Sequence, residues 1–206
     1  MTMASQELSR SKAAQPVLVG ILGILLAIEF GAYTRAQAQL DAENLIVIPP
    51  DGWKIGYQSS HDTRSITEFV PAIETVDDWT QMLTVQIFRH ATVDSATFVK
   101  GLAQRYMNDC PGTTAKGIFT GTTNGYVVSM LLLKCPKNPG TGKPETTALR
   151  FIKGQDALYG VQRAWRAVPS DVDLDTVMHA LAQVTVCDTR TPEHPCPGLG
   201  SPIPNR

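Results

Sequence analysis

The chain has 206 residues, 43% of them apolar and 18% charged, with 18 basic side chains against 19 acidic ones. That composition fits one globular domain, at most two small ones, and excludes a disordered, collagen-like or multi-span membrane protein. A formal net charge of −1 excludes a general nucleic-acid binder, which would carry a basic excess or a basic stripe.

Residues 1–38 read as an export signal. Arg10 and Lys12 supply the positive charge, Pro16–Ile28 the apolar run, and Thr34–Ala38 ends in Ala-x-Ala, which predicts cleavage after Ala38. The alternative is an uncleaved inner-membrane anchor with the domain facing the periplasm. Stretched through Tyr33, the run reaches roughly 17 to 18 residues, the low edge for crossing a bilayer, and would hold Glu29 inside it. No Cys follows the run, which argues against lipoprotein attachment. All four cysteines lie beyond the predicted cut, as expected of a chain sent to an oxidising compartment. The predicted location is the periplasm, with membrane contact only if the leader stays attached.

Residues 39–52 form a lead-in, a short LIVI followed by the turn signature Pro49-Pro50-Asp51-Gly52. Alternation and β-branched or aromatic content predict strands at Trp53–Ser59 and Ser65–Val70, joined by a polar turn at His61–Arg64. Met82–His90 is a third strand, with Leu83, Val85 and Ile87 on one face. The period then becomes helical over 95–109, with Phe98, Val99, Leu102 and Tyr106 in one stripe behind an Asp94 or Ser95 cap. Thr114–Thr120 and Tyr126–Lys134 flank Asn124-Gly125, a strong hairpin signal because both residues tolerate positive φ. Thr146–Lys153 and Ala157–Ala167 flank a second turn at Gly154–Asp156. Ser170 caps a last helix, with Asp171 and Asp173 in its positive first turn and Leu174, Val177, Leu181 and Val184 as its buried stripe. The tail after Cys187 holds five prolines and two glycines, which predicts an irregular and partly mobile end over 188–206.

The order ββ(β)-α-ββββ-α predicts a single α+β domain over 53–187, an antiparallel sheet covered by two helices. That topology also selects the disulfides. The first helix ends at Cys110, and the next hairpin returns Cys135 to that same end of the sheet. The last helix carries Cys187 roughly 20 Å away, beyond the ~7 Å Cα limit for a bridge. The expected bridges are Cys110–Cys135 and Cys187–Cys196, contributing roughly 3.5 and 2.6 kcal/mol in the chain-entropy model.

No strong catalytic motif is present: there is no Gly-x-Ser-x-Gly elbow and no His-Glu-x-x-His. Gly140–Lys143 resembles a phosphate loop only superficially, since Lys137 stands where its first Gly belongs and Pro144 where its Ser or Thr belongs. The histidines are His61, His90, His179 and His194, none at helical i, i+4 spacing. His61 beside Asp62 is the best candidate base, a weak basis for a hydrolase, and a solvated turn is the favoured reading. Cys187, His194 and Cys196 lack zinc-site spacing and are read as a disulfide with a neighbour. Glu68, Glu74, Asp77 and Asp78 lack the alternation of a calcium loop and are read as a solvated acidic rim. Trp53, Tyr57, Trp79 and Trp165 are read as core or sheet-face packing before a ligand platform. No catalytic, cofactor-binding or metal-ligating residue is assigned.

Trp53–Tyr57, then Glu68–Pro71, then Trp79–Gln86 look like stretches of uncharacterised proteobacterial periplasmic proteins. With this element order, most of residues 45–186 resembles the PsbP/Mog1/DcrB-like α/β/α sandwich. The two cysteine pairs and the Pro-rich tail depart from that pattern. The resemblance implies a largely non-enzymatic superfamily of accessory and assembly factors and transfers no catalytic residue. The expected function is an exported, non-enzymatic accessory or interaction module of an envelope complex. The alternative is a periplasmic binder of a small ligand or lipid, held between sheet and helix.

Overall fold

The computed structural model describes residues 40–197. The predicted export signal, residues 1–38, and the end of the tail, residues 198–206, lie outside the described residues. The elements are β1 (Glu43–Ile46), β2 (Trp53–His61), β3 (Arg64–Pro71), β4 (Gln81–Arg89), α1 (Ser95–Asp109), β5 (Thr114–Thr123), β6 (Tyr126–Cys135), β7 (Glu145–Lys153), β8 (Ala157–Trp165), α2 (Asp171–Gln183) and β9 (Thr185–Asp188).

Seven strands form one antiparallel sheet in the order β2-β3-β4-β8-β7-β6-β5. Hairpins build both halves, and β4 pairs with β8 along its whole length, from Gln81↔Trp165 to Arg89↔Ala157. Asn124 and Gly125 at the β5–β6 turn have φ of 45° and 80°, the two positive values that a type I′ hairpin needs. Asp94 caps α1, accepting from the Thr97 amide at 2.8 Å, and Ser170 caps α2, accepting from the Asp173 amide at 3.1 Å. Each satisfies a backbone donor that the first helical turn leaves free.

Alternation along the strands makes two cores. Leu131, Leu133, Leu149, Phe151 and Leu158 face α1, where Val99 and Ala103 meet them. Val128, Met130, Ile152, Val161 and Trp165 face α2, against Leu181 and Val184. The molecule is therefore an α/β/α sandwich, one helix to each face. Six strand spacings of about 4.8 Å make the sheet about 29 Å wide, whereas a helix with its side chains is about 10 Å across. A single helix cannot cover such a face. α1 packs on β5, β6 and β7, so the β3–β4–β8 part of that face stays open.

The sequence leaves LIVI as an unpaired lead-in and the chain after Cys187 as a loose tail. The structure pairs β1 with β9, from Glu43↔Asp188 to Ile46↔Thr185, and lays this ribbon over the α2-side core through Leu45, Val47 and Val186. The predicted tail is irregular over 189–197, and residues 188–196 make defined contacts with the domain. The Asp188 amide donates to His194 O at 2.8 Å, and Asn124 Nδ2 donates to Pro195 O at 3.2 Å. The His194 ring stacks on Tyr126 with centroids 3.9 Å apart, and its Nδ1 donates to Asn124 O at 2.8 Å. Arg190 joins the half-exposed Asp156 at 2.8 Å and the buried Asp188 at 2.7 Å, the latter through both Nε and Nη2.

Glu43 ties the ribbon to the sheet. Its carboxylate accepts from the Gln155 and Asp156 amides at 2.5 and 2.8 Å and from Tyr159 Oη at 3.1 Å. Gly154 makes room for it, since a Cβ there would lie 2.5 Å from Glu43 Oε2. Glu43→Ala removes two bonds at exposed amides and one at the part-buried Tyr159 hydroxyl, and bonds to a charged acceptor contribute roughly 1.5–3 kcal/mol. Chemical denaturation is expected to show a loss of about 2–3 kcal/mol, with early hydrogen exchange in β1 and β9. An unchanged midpoint would contradict the tie.

The two disulfides join Cys110 to Cys135 and Cys187 to Cys196, with Cα separations of 6.0 and 4.8 Å. These are the pairs read from the topology. The first holds the C-terminal end of α1 to the end of β6, and the second pins the tail to β9.

Candidate functional site

The bare part of the α1 face is a cleft of about 780 Å³, within the roughly 300–1,000 Å³ typical of ligand sites. Its floor is made by even-numbered residues, Met82, Thr84, Gln86 and Phe88 of β4 and Gln162 and Ala164 of β8. The period of two puts Leu83, Val161 and Arg163 on the other face. Phe98, Gly101, Leu102, Arg105 and Tyr106 of α1 form one wall, and Arg64 and Glu68 of β3 belong to the opposite one. Trp79 closes one end, with the Arg166 guanidinium 4.2 Å from its ring centre.

Two carboxyl groups, Glu68 and Glu145, line the cleft with two guanidinium groups, Arg64 and Arg105. Glu145, opposite Cys135 in the β6–β7 register, accepts from Asn138 Nδ2 at 2.8 Å and Thr147 Oγ1 at 3.4 Å. Burial nonetheless holds its pKa above the ordinary carboxylate value. Burial also raises Glu68. Tyr106 is raised by burial first and by the charge of Glu145 second. The solvated rim expected of the acidic segment is therefore corrected at Glu68, which is half-buried and faces the cleft. Glu74 instead accepts from the Thr80 amide and hydroxyl at 2.7 and 2.6 Å, while Asp77 and Asp78 are exposed.

An acid with a raised folded pKa binds its proton more tightly when folded, so its contribution is present below about pH 4.5 and lost as pH rises through the folded value. Glu145→Gln and Glu68→Gln are expected to flatten this fall, gaining stability relative to the parent at pH 7 and nothing at pH 4. Urea melts across that range check it, and a variant that gains equally at both pH values would contradict the burial of the two groups.

The opposite face carries an apolar groove of about 560 Å³ between α2 and the chain leading from β1 to β2. Ile46–Pro50 line one side and Val177, Ala180, Leu181 and Val184 the other. Arg163 of β8 lies on the floor, 8% exposed, its guanidinium 3.9 Å from the Trp53 ring centre.

His61 lies at the β2–β3 turn, exposed, with Nε2 3.3 Å from Ser59 Oγ. It lines neither the cleft nor the groove, and Asp62 beside it is exposed. Cys187 and Cys196 bond to each other, so with His194 they form no metal set. Among the described residues no group of three or more His, Cys, Asp or Glu is gathered for a metal ion. Gly140–Lys143 lies in the β6–β7 loop, where Asn138 Oδ1 accepts from the Gly140 amide at 2.8 Å. Of the aromatics, Trp165 is core, Trp53 covers Arg163, Trp79 lines the cleft, and Tyr57 is 47% exposed on the edge strand. Sequence reasoning missed Glu145, Arg150 and Arg163. The available signal was a charged residue at an inward position of an otherwise apolar strand, as in Val161-Gln-Arg163-Ala-Trp165.

Fold and clefts together define an α+β sandwich, two helices over an antiparallel sheet with a binding-sized recess on each face. The chain is similar to LpqN of Mycobacterium tuberculosis, a protein involved in cell envelope biogenesis, at 20% identity over 72% of this chain and 86% of that one, with a TM-score of 0.42. It is similar to cyanobacterial PsbP from Synechocystis, at 13% identity over 71% and 91% of the two chains and a TM-score of 0.44. Similarity extends to the Ran-binding protein Mog1p of Saccharomyces cerevisiae, at 10% identity over 68% and 85% and a TM-score of 0.40. No family model and no curated protein matches the chain.

Proposed function

We propose that this chain is an exported accessory module of the bacterial envelope that acts in the periplasm by binding rather than by catalysis. The observation that carries the reading is the open cleft beside α1, whose walls offer hydrogen-bonding and aromatic groups while His61, the candidate base, stands outside it. Two disulfides support an oxidising compartment. Among the described residues no helix is long and apolar enough to cross a membrane.

Gly101 gives a clean test. It is exposed on α1, lines the cleft, and a Cβ there would meet nothing within 4 Å. Gly101→Trp fills the cleft and removes a poor helix former, so folding is expected to survive. Affinity capture from solubilised envelope should recover a defined partner with the parent chain and lose it with Gly101→Trp. Repeatedly empty captures with the parent count against the proposal. Intact mass of the native protein, with and without reductant, tests export: residues 39–206 less four hydrogens is the expected species. A full-length mass points to the membrane-anchored form.

A second reading, a binder of a small ligand, is favoured by the groove beneath α2 and the buried charge on its floor.

A further inference from the structure

We propose that the groove beneath α2 holds a single-chain amphiphile with an anionic head, of the fatty carboxylate class, and that Arg163 receives the head group. The proposal deepens the second reading and rests on it.

Arg163 is flanked in register by Leu83 of β4 and Ala148 of β7 and covered by Trp53. Its Nη2 donates to Gln81 Oε1 at 2.8 Å, but Nε and Nη1 are buried with no partner. Arg150, the other buried arginine on this face, shows the contrast. Its Nε donates to Val184 O at 3.0 Å, at the C-terminal end of α2, where the helix dipole favours a cation. Arg163 has no such carbonyl and no counter-ion: among the described residues the ion pairs are those of Arg190 with Asp156 and Asp188. A buried cation left in this state is costly, and an anion brought to it removes the cost.

The groove leading away from the guanidinium is the complement of a hydrocarbon chain. Ile46, Val47, Ile48 and Pro49 face Val177 and Leu181 across it, and Ile48, at 77% exposure, is left largely in water. A chain of methylenes buries that surface while the carboxylate forms charge-assisted hydrogen bonds to Arg163. The Trp53 ring, beside the Gly52 turn, is the cover that the head group displaces. At Arg163 a cationic head would meet repulsion, the exposed Asp51 being the acid of the groove lining, and a neutral head would leave the guanidinium charge unanswered.

Calorimetric titration of the oxidised protein with dodecanoate, dodecanol and dodecyltrimethylammonium separates the possibilities, with the Trp53 indole followed by NMR. Dodecanoate is expected to bind at least tenfold more tightly than dodecanol, to shift the Trp53 signal, and to exceed the cationic probe by more. Arg163→Met, an apolar side chain in an apolar site, should bring dodecanoate down to dodecanol. Ala180→Trp, on the exposed side of α2, should weaken both, and it carries the test if the Met variant does not fold. Equal binding of dodecanoate and dodecanol, or tight dodecanoate binding retained in Arg163→Met, overturns the head-group assignment while the groove remains a ligand site. No binding of any of the three overturns the second reading itself.

Discussion

Replacing Cys110 and Cys135 together by serine is expected to lower the unfolding free energy by roughly 3.5 kcal/mol in the chain-entropy model. The bridge closes a loop of 25 residues of separation that includes all of β5 and β6. For a domain of this size the shift in Tm would be about 10 °C. The loss has a functional side. Cys135 faces Glu145 in register, and Cys110 ends the helix whose other residues wall the cleft. Freed of the bridge, the last turn of α1 is expected to exchange amide hydrogens faster than α2. Differential scanning calorimetry with hydrogen exchange checks both parts. A fall in Tm with α1 protection unchanged would mean that the bridge acts on the unfolded chain alone.

Phe151→Ala is expected to cost about 4 kcal/mol, within the range for truncating a large buried ring. Phe151 is 2% exposed at the centre of the α1-side core, and its ring lies 4.8 Å from that of Phe98. Gly160, its partner across β8, provides the space: a Cβ there would come within 2.4 Å of the ring. Little around it can relax into the void, because Leu131, Leu149 and Leu158 are fixed by the sheet. Since Phe151 and Phe98 also line the cleft, the same substitution should enlarge the recess. Equilibrium denaturation gives the energy, and a loss below about 2 kcal/mol would mean that the core collapses onto the vacancy.

Most of the sheet was legible in the sequence because its strands are long, alternate cleanly and meet at turns with strong chemistry. Asn124-Gly125 is an example: the tolerance of both residues for positive φ announces the hairpin. Nothing local announces that the Asn124 side chain also holds Val186 O and Pro195 O, since those partners lie far along the chain. The β1–β9 ribbon was illegible for the same reason. Four residues with no alternating partner in view read as a lead-in, and their pairing is decided by a surface that only the folded sheet creates. The recesses were legible in outline, as space between a sheet and helices. Their chemistry was not, because Glu68 and Glu145 read as ordinary acids in sequence, and what distinguishes them is how much water the neighbouring elements remove.

The ribbon has a mechanical consequence. β1 and β9 are antiparallel, with Glu43 opposite Asp188 and Ile46 opposite Thr185, so the chain enters and leaves this part of the molecule at one end of the pair. Tension applied between the two ends therefore peels the strands apart one backbone hydrogen bond at a time instead of shearing all of them together. On the β1 side the load meets the Glu43 carboxylate, clamped on the β7–β8 turn, and on the β9 side it meets the Cys187–Cys196 bridge and the contacts of the tail with Asn124 and Tyr126. The seven-stranded sheet takes the load only through those anchorages, at the β7–β8 turn and the β5–β6 hairpin.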